Sequence, residues 1–198
     1  MDFSTVISLL LGIGLAAASG FRVFLPLFVL SIAAHFGADY VNLSEDVRWV
    51  GSLPAIITLG VAMICEIGAY YIPIIDNFLD TISIPLAAIA GTLLVAVNIT
   101  DMNEVATWAL AIIAGGGTAA VISSATATAR AISSVTTAGS GNFLVNTGET
   151  TSATVLSLTA IIWAPIAIVL TIIILIVVLI AWKKIKRGTN TLTIPSEE

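Results

Sequence analysis

Arg22, Glu66, Asp76, Asp80 and Arg130 lie inside or at the edge of strongly apolar runs, and they are the residues whose chemistry needs explaining. At mid-membrane a charge costs at least about 2.5–3.5 kcal/mol unless it meets a partner or water. Arg22 and Glu66 are expected to pair with each other, as a structural salt bridge or as part of a functional site. Asp76 and Asp80 are four residues apart and share one face of a helix start, where the helix dipole favours anions. An N-cap role accounts for Asp76. Asp80, a turn further in, is left to attract a cation or a proton, or to meet Arg130.

Around Arg130 the residues Ser123, Thr126, Ser133 and Thr137 recur at spacings of three and four, forming a hydroxyl stripe on one helix face. Hydroxyls can bond back to their own helix carbonyls. A stripe centred on an arginine nonetheless fits a hydrated or protein-buried face better than a lipid-facing one. Small residues form a second pattern: Ser8, Gly12, Ala16 and Gly20 are four apart, Gly14 lies among them, and Gly115-Gly116-Gly117 stands mid-segment. Close helix packing accounts for both. Three consecutive glycines also fit a flexible or unwound point beside a pathway.

Catalytic signatures do not occur. There is no His-Glu-x-x-His, no Gly-x-Ser-x-Gly and no phosphate loop. His35 is the single histidine and reads as an ordinary interfacial residue, and Cys65 is the single cysteine, so neither an internal disulfide nor a cysteine zinc site is expected. No cofactor and no metal site is expected. Asp76 and Asp80 supply only half of what a lipid-phosphate transferase would need.

The elements that must position these residues follow from composition. Of 198 residues, 58% are hydrophobic and 10% charged, against about a quarter charged in soluble domains. So few charges could not cover a water-facing surface, whereas a bilayer solvates an apolar exterior. The formal charge of −5 comes from scattered carboxylates and Glu197–Glu198. Seven basic residues, four of them at one end, make no groove for nucleic acid.

Apolar runs predict about five membrane segments, at about 20 residues each. The first, Thr5–Phe36, is too long for a simple span and is interrupted by Ser19-Gly20, Arg22 and Pro26, so it is one kinked helix or two half-helices meeting inside the membrane. No basic residue precedes Arg22, which favours a retained span over a signal peptide. A polar loop, 37–52, holds Ser44-Glu45-Asp46 as a helix start. Further segments run from Leu53 to Ile72, from Asp76 to Ile99 and from Met102 past Arg130. Residues 136–152, rich in Gly, Ser, Thr and Asn, read as a loop. The last span, Ile161–Trp182, ends at Lys183-Lys184-Ile185-Lys186-Arg187. Residues 1–188 form one integral-membrane domain, and 189–198 a short disordered cytoplasmic tail.

The basic cluster marks the cytoplasmic side of a cell (inner) membrane. Four spans separate it from Arg48, which places both on that side, together with Trp49, Trp108 and Trp182, and leaves Tyr70 and Tyr71 outside. Gly12-x-Gly14-x-Ala16-Ala17 recurs as Gly115-x-Gly117-x-Ala119-Ala120, each copy followed by the only arginine of its segment. Three spans lie between the copies, so they would form a weak inverted repeat of the kind found in transporters.

The chain also resembles a family of bacterial membrane proteins, DUF4126, a domain of unknown function. The resemblance is carried by 11–24 (Leu-Gly-Ile-Gly-Leu-Ala-Ala-Ala-Ser-Gly-Phe-Arg-Val-Phe), Gly51-Ser52-Leu53-Pro54-Ala55, Tyr70-Tyr71-Ile72-Pro73 with Asp76-Asn77 and Leu79-Asp80, and 111–117 (Ala-Ile-Ile-Ala-Gly-Gly-Gly). The stretch Thr137-Ala138-Gly139-Ser140-Gly141-Asn142 fits too, with Phe143 where the family has a proline. The resemblance implies a polytopic membrane protein and supplies no activity.

Together these features predict an all-α, polytopic transmembrane bundle with a broken first helix. The leading expectation is a small transporter or channel for an ion or small solute, its pathway lined by Arg22, Glu66, Asp76, Asp80, Arg130, Ser123, Thr126 and Ser133, with Gly12, Gly14, Gly20, Gly115, Gly116 and Gly117 as packing or hinge points. The alternative is an assembly protein that packs through Gly/Ala faces on other membrane proteins or on a second copy of itself. A lipid-modifying enzyme built on Asp76 and Asp80 is the third. A pathway requires the charges to converge on a cavity. A packing partner requires a Gly/Ala groove facing lipid.

Overall fold

The computed structural model describes residues 3–37, 41, 43, 45–100 and 102–190, and all regular structure among them is helical. Helix α1 is Phe3–Ser19, α2 Phe24–Phe36, α3 Leu53–Ala69 and α4 Pro73–Ala96. Helix α5, Glu104–Leu110, continues through a π-helical stretch, Ala111–Gly116, into α6, Gly117–Thr137. Helices α7, Asn142–Ile162, and α8, Ala164–Asn190, complete the chain, and a short 3-10 helix, Glu45–Gly51, precedes α3. Ser44, Asp101 and the tail beyond Asn190 lie outside the described residues, and with them part of the expected helix start at 44–46 and the expected disordered end.

Among the described residues, three helical segments are long and apolar enough to cross a membrane: Phe78–Ala96, Glu104–Thr137 and Ala164–Lys183. Helices α1, α2 and α3 are apolar but shorter, so the expected count of about five spans is not reached on length and composition. Ile57, Ile64, Ile112, Ile113, Val177 and Ile180 are all more than half exposed, an outward face suited to hydrocarbon. Together these features mark a membrane protein.

The first apolar segment is a helical hairpin. Along α7, a Cβ on Gly14 would stand 3.0 Å from that of Ala160, Arg22 meets Thr150, and Phe36 shares a cavity wall with Ile162. The chain therefore climbs beside α7, breaks at 20–23, and descends again. Two contacts fix the break. Gly20 lies so near α6 that a Cβ there would be 2.6 Å from Ile122 Cβ and 2.8 Å from the Ala119 carbonyl oxygen. Glu66 of α3 then accepts from the backbone N–H groups of Val23, at 2.7 Å, and Phe24, at 3.0 Å. This carboxylate caps the start of α2, where the dipole favours a negative charge. Pro26 falls in the first turn of α2, where a missing N–H is harmless.

Small residues are spent on internal packing. A Cβ on Gly12 would press on Val95 of α4 at 2.9 Å, and one on Gly91 of α4 would lie 2.7 Å from the Gly115 carbonyl oxygen. Gly116 faces Thr92 and Ala88 of α4 in the same way. The first glycine of each Gly-x-Gly copy, Gly12 and Gly115, thus packs on α4, whereas Gly14 faces Ala160 and Ala167. The triple glycine is not unwound: the chain there widens into a π-helical stretch, with α4 lying against it.

Two expectations are corrected. Residues 136–152 are not a loop: only 138–141 turn, with Ala138 at φ 50° and Gly139 at φ 86°, and Asn142 opens a full helix. Its Thr- and Asn-rich composition disguised it, because its inward face is polar. The added helix changes which elements share an end of the bundle. Trp182 lines a groove with Ile132 and Gly148, near the Tyr71–Thr147 contact, whereas the Trp49 helix packs at the far end of α2 through Ser31–Val50 and Gly51–Ala34 contacts. Lys183 therefore falls at the Tyr70 end and Arg48 at the opposite one.

Candidate functional site

Where α3 turns into α4 and α6 into α7, the first turns of α4 and α7, the last turns of α6 and the α1–α2 break meet. Arg130 reaches from α6, side chain 2% exposed, and its Nη1 contacts Asp80 Oδ1 at 2.7 Å and Asp76 Oδ1 at 3.3 Å. Its Nε lies 3.3 Å from Glu149 Oε1 of α7. Arg22, fully buried, places Nη1 3.4 Å from Glu149 Oε2 and donates from Nε to Thr150 Oγ1 and from Nη2 to the Asn146 carbonyl, both at 3.1 Å. One carboxylate thus bridges two arginines, one from the α1–α2 break and one from α6.

Tyr70, 5% exposed, closes this network. The guanidinium carbons of Arg22 and Arg130 stand 4.1 and 4.3 Å from its ring centre. Both distances are within cation–π range, and burial strengthens the attraction. Asn146 holds the Tyr70 carbonyl oxygen through Nδ2, and Asn142 Nδ2 donates to Asp76 Oδ2 at 3.2 Å and to Ser134 Oγ at 2.8 Å. Two guanidiniums therefore face three carboxyl groups, Asp76, Asp80 and Glu149, in a low-dielectric site.

A cavity of about 650 Å³ opens sideways between α6, α7 and α8, with Thr126 and Glu149 in its wall. A second, about 630 Å³, opens at the Tyr70 end and is walled by Tyr70, Tyr71, Asp76, Asn142 and Asn146. A third, about 350 Å³, lies between α3 and α4 and touches Glu66, Tyr70 and Ser83. Tyr70 is common to the second and third.

Of the residues expected to act together, Arg22, Asp76, Asp80 and Arg130 meet. Glu66 does not pair with Arg22; both its oxygens go to the α2 backbone, because the break leaves those N–H groups without helical acceptors. Asp76 is not an N-cap, since Ile72 holds that position and Asp76 lies in the first turn. Ser123 bonds Ser83 at 3.4 Å below the network, and the Thr126 hydroxyl donates to the Ser123 carbonyl. Ser133 sits at the α6–α7 turn, its carbonyl taken by Thr137. His35 Nδ1 is 2.6 Å from the Gly51 carbonyl, and Cys65 is exposed.

Glu149, Asn142 and Asn146 are not expected from the sequence, since the stretch around them reads as a loop. A helical signal was present: the buried positions of α7 include Asn146, Glu149, Ala153, Leu156 and Ala160, spaced by three and four. Among the described residues, no three His, Cys, Asp or Glu side chains are grouped to hold a metal ion.

A family model described as Domain of unknown function (DUF4126) matches residues 9–184. No curated protein and no solved structure matches the chain.

Proposed function

The chain belongs to the DUF4126 family, and on that premise we propose a small transporter or channel for an ion or small solute in the bacterial inner membrane. The pathway enters by the cavity at the Tyr70 end and reaches the Arg22–Glu149–Arg130–Asp80 network. With the Lys183–Arg187 cluster facing the cytoplasm, that mouth is cytoplasmic.

One observation carries the reading: charges from α4, α6, α7 and the α1–α2 break converge on a single network, and one of its members, Asp76, lines an open cavity. Buried ion pairs are poor stabilisers for their desolvation cost, so such a network in a bundle this apolar calls for a role beyond stability. The π-helical stretch and the broken first helix are further features of transport folds. The assembly reading needs a Gly/Ala groove facing lipid, and Gly12, Gly14, Gly20, Gly115 and Gly116 are instead packed against neighbouring helices.

The test is flux of H⁺, Na⁺, K⁺ and Cl⁻ in proteoliposomes, comparing wild type with Asp80→Asn and Glu66→Gln. Asp80 is the diagnostic position, being the most exposed carboxylate of the network at 22%. Flux that is lost or altered in selectivity in folded Asp80→Asn supports the reading. No wild-type flux of any of these ions, and no uptake of small organic solutes, would sink it.

A further inference from the structure

Among the described residues, eight buried side-chain polar atoms lack a protein hydrogen bond, and five of them, on Arg22, Asp80, Arg130 and Glu149, are accounted for by the ion pairs. The remaining three are Asn142 Oδ1, Asn146 Oδ1 and Ser157 Oγ. Two of these are carboxamide oxygens one turn apart on α7, both from residues in the wall of the cavity at the Tyr70 end.

The orientation of each carboxamide is forced. The Tyr70 carbonyl oxygen can only accept, so Asn146 must offer it the NH₂ group, leaving Oδ1 without a donor. Asn142 likewise commits its NH₂ to the Asp76 carboxylate and to Ser134 Oγ. Buried acceptors are rarely left without partners, and such oxygens call for an ordered water or an ion. No donor reaches them from Asp76, the nearest charged member of that wall, which can only accept when ionised.

We propose that Asn142 Oδ1, Asn146 Oδ1 and the Asp76 carboxylate form a binding site for a monovalent cation taking oxygen ligands, an alkali ion or ammonium. Two neutral carbonyl-type oxygens and one carboxylate suit a single positive charge, whereas Ca²⁺ takes six to eight oxygens, several of them carboxylate. Electrostatics favours the same valence. The network beneath has three carboxyl groups to two guanidiniums, so it can take up one positive charge, as a proton or as a bound cation, despite the nearness of Arg130. The proposal deepens the pathway reading and rests on it for its meaning, since it makes this the cation-selecting step at the mouth.

The experiment is thermal unfolding of the full chain in nanodiscs, in NaCl, KCl, NH₄Cl or N-methyl-D-glucamine chloride at equal ionic strength. At a cation concentration about ten times its dissociation constant, the expected result is a saturable rise of about 2–5 °C over N-methyl-D-glucamine. Asn142→Leu should abolish that rise. Asn142→Lys, which tethers an ammonium at the site, should be insensitive to all four salts. Equal melting of wild type in all four, or a full response retained in folded Asn142→Leu and Asn142→Lys, overturns the site. Cation-dependent melting without flux would keep the site and remove the pathway. Flux without it would do the reverse.

Discussion

Arg22 Nη1 stands 3.4 Å from Glu149 Oε2, joining the break in the first apolar segment to the second turn of α7. The same carboxylate serves Arg130 through its other oxygen. Removing it takes from Arg22 its carboxylate partner among the described residues, while Arg130 keeps Asp76 and Asp80. Glu149→Gln should therefore destabilise by about 3–5 kcal/mol, the usual cost of breaking a buried pair. In a cycle with Arg22→Met and Glu149→Met, the double variant should be less destabilised than the sum of the singles by about 1–3 kcal/mol. Denaturant unfolding in mixed micelles reads this directly, and strict additivity would mean that the contact carries no energy.

Tyr70 should behave as an aromatic surface before it behaves as a phenol. Its ring meets both guanidiniums, so Tyr70→Leu should cost about 2–4 kcal/mol, while Tyr70→Phe should keep most of the stability. Equal losses in the two variants, measured by the same unfolding, would move the role to the hydroxyl.

Glycines divide by what surrounds them. A Cβ on Gly115 would collide with the Gly91 carbonyl oxygen, a backbone atom that cannot swing aside, so Gly115→Ala should destabilise by about 1–3 kcal/mol. Gly148, in α7, has nothing within 4 Å of such a Cβ, and Gly148→Ala should stabilise by up to about 1 kcal/mol through helix propensity. Melting temperatures of the two variants should move in opposite directions.

Much of the site was legible in the sequence because charges in apolar runs announce themselves. Arg22, Asp76, Asp80 and Arg130 stood out by cost alone, and the break at Gly20 by composition. Partners were harder to read. Glu66 was matched to Arg22 by economy of charge, but a backbone N–H pair at a helix start is an equally good acceptor's target and has no sequence signature. Glu149 was hidden because Thr, Ser, Gly and Asn around it have weak helix propensity, and that local preference is overridden once the helix face is buried against two arginines. That helix adds one pass along the bundle, which is enough to put Arg48 and Lys183 at opposite ends.

Sidedness is therefore the reading to test by chemistry. From Trp49 to Lys183 the chain passes along the bundle through α3, α4, α5–α6, α7 and α8, an odd number of passes. Trp49 and Lys183 should then face opposite compartments, while Tyr71 and Lys183 face the same one. Cys65 is the only cysteine, so Cys65→Ser gives a clean background for single cysteines at the three positions. A membrane-impermeant maleimide added to intact cells should label the Trp49→Cys variant, with Tyr71→Cys and Lys183→Cys reacting only after the membrane is opened, if the basic cluster is cytoplasmic. Labelling of Tyr71→Cys and Lys183→Cys from outside, with Trp49→Cys protected, would keep the fold and reverse its insertion. Trp49→Cys and Lys183→Cys reacting from the same side would mean that one of the five passes does not cross the bilayer, and α3, at 17 residues the shortest of those passes, would be the one in question.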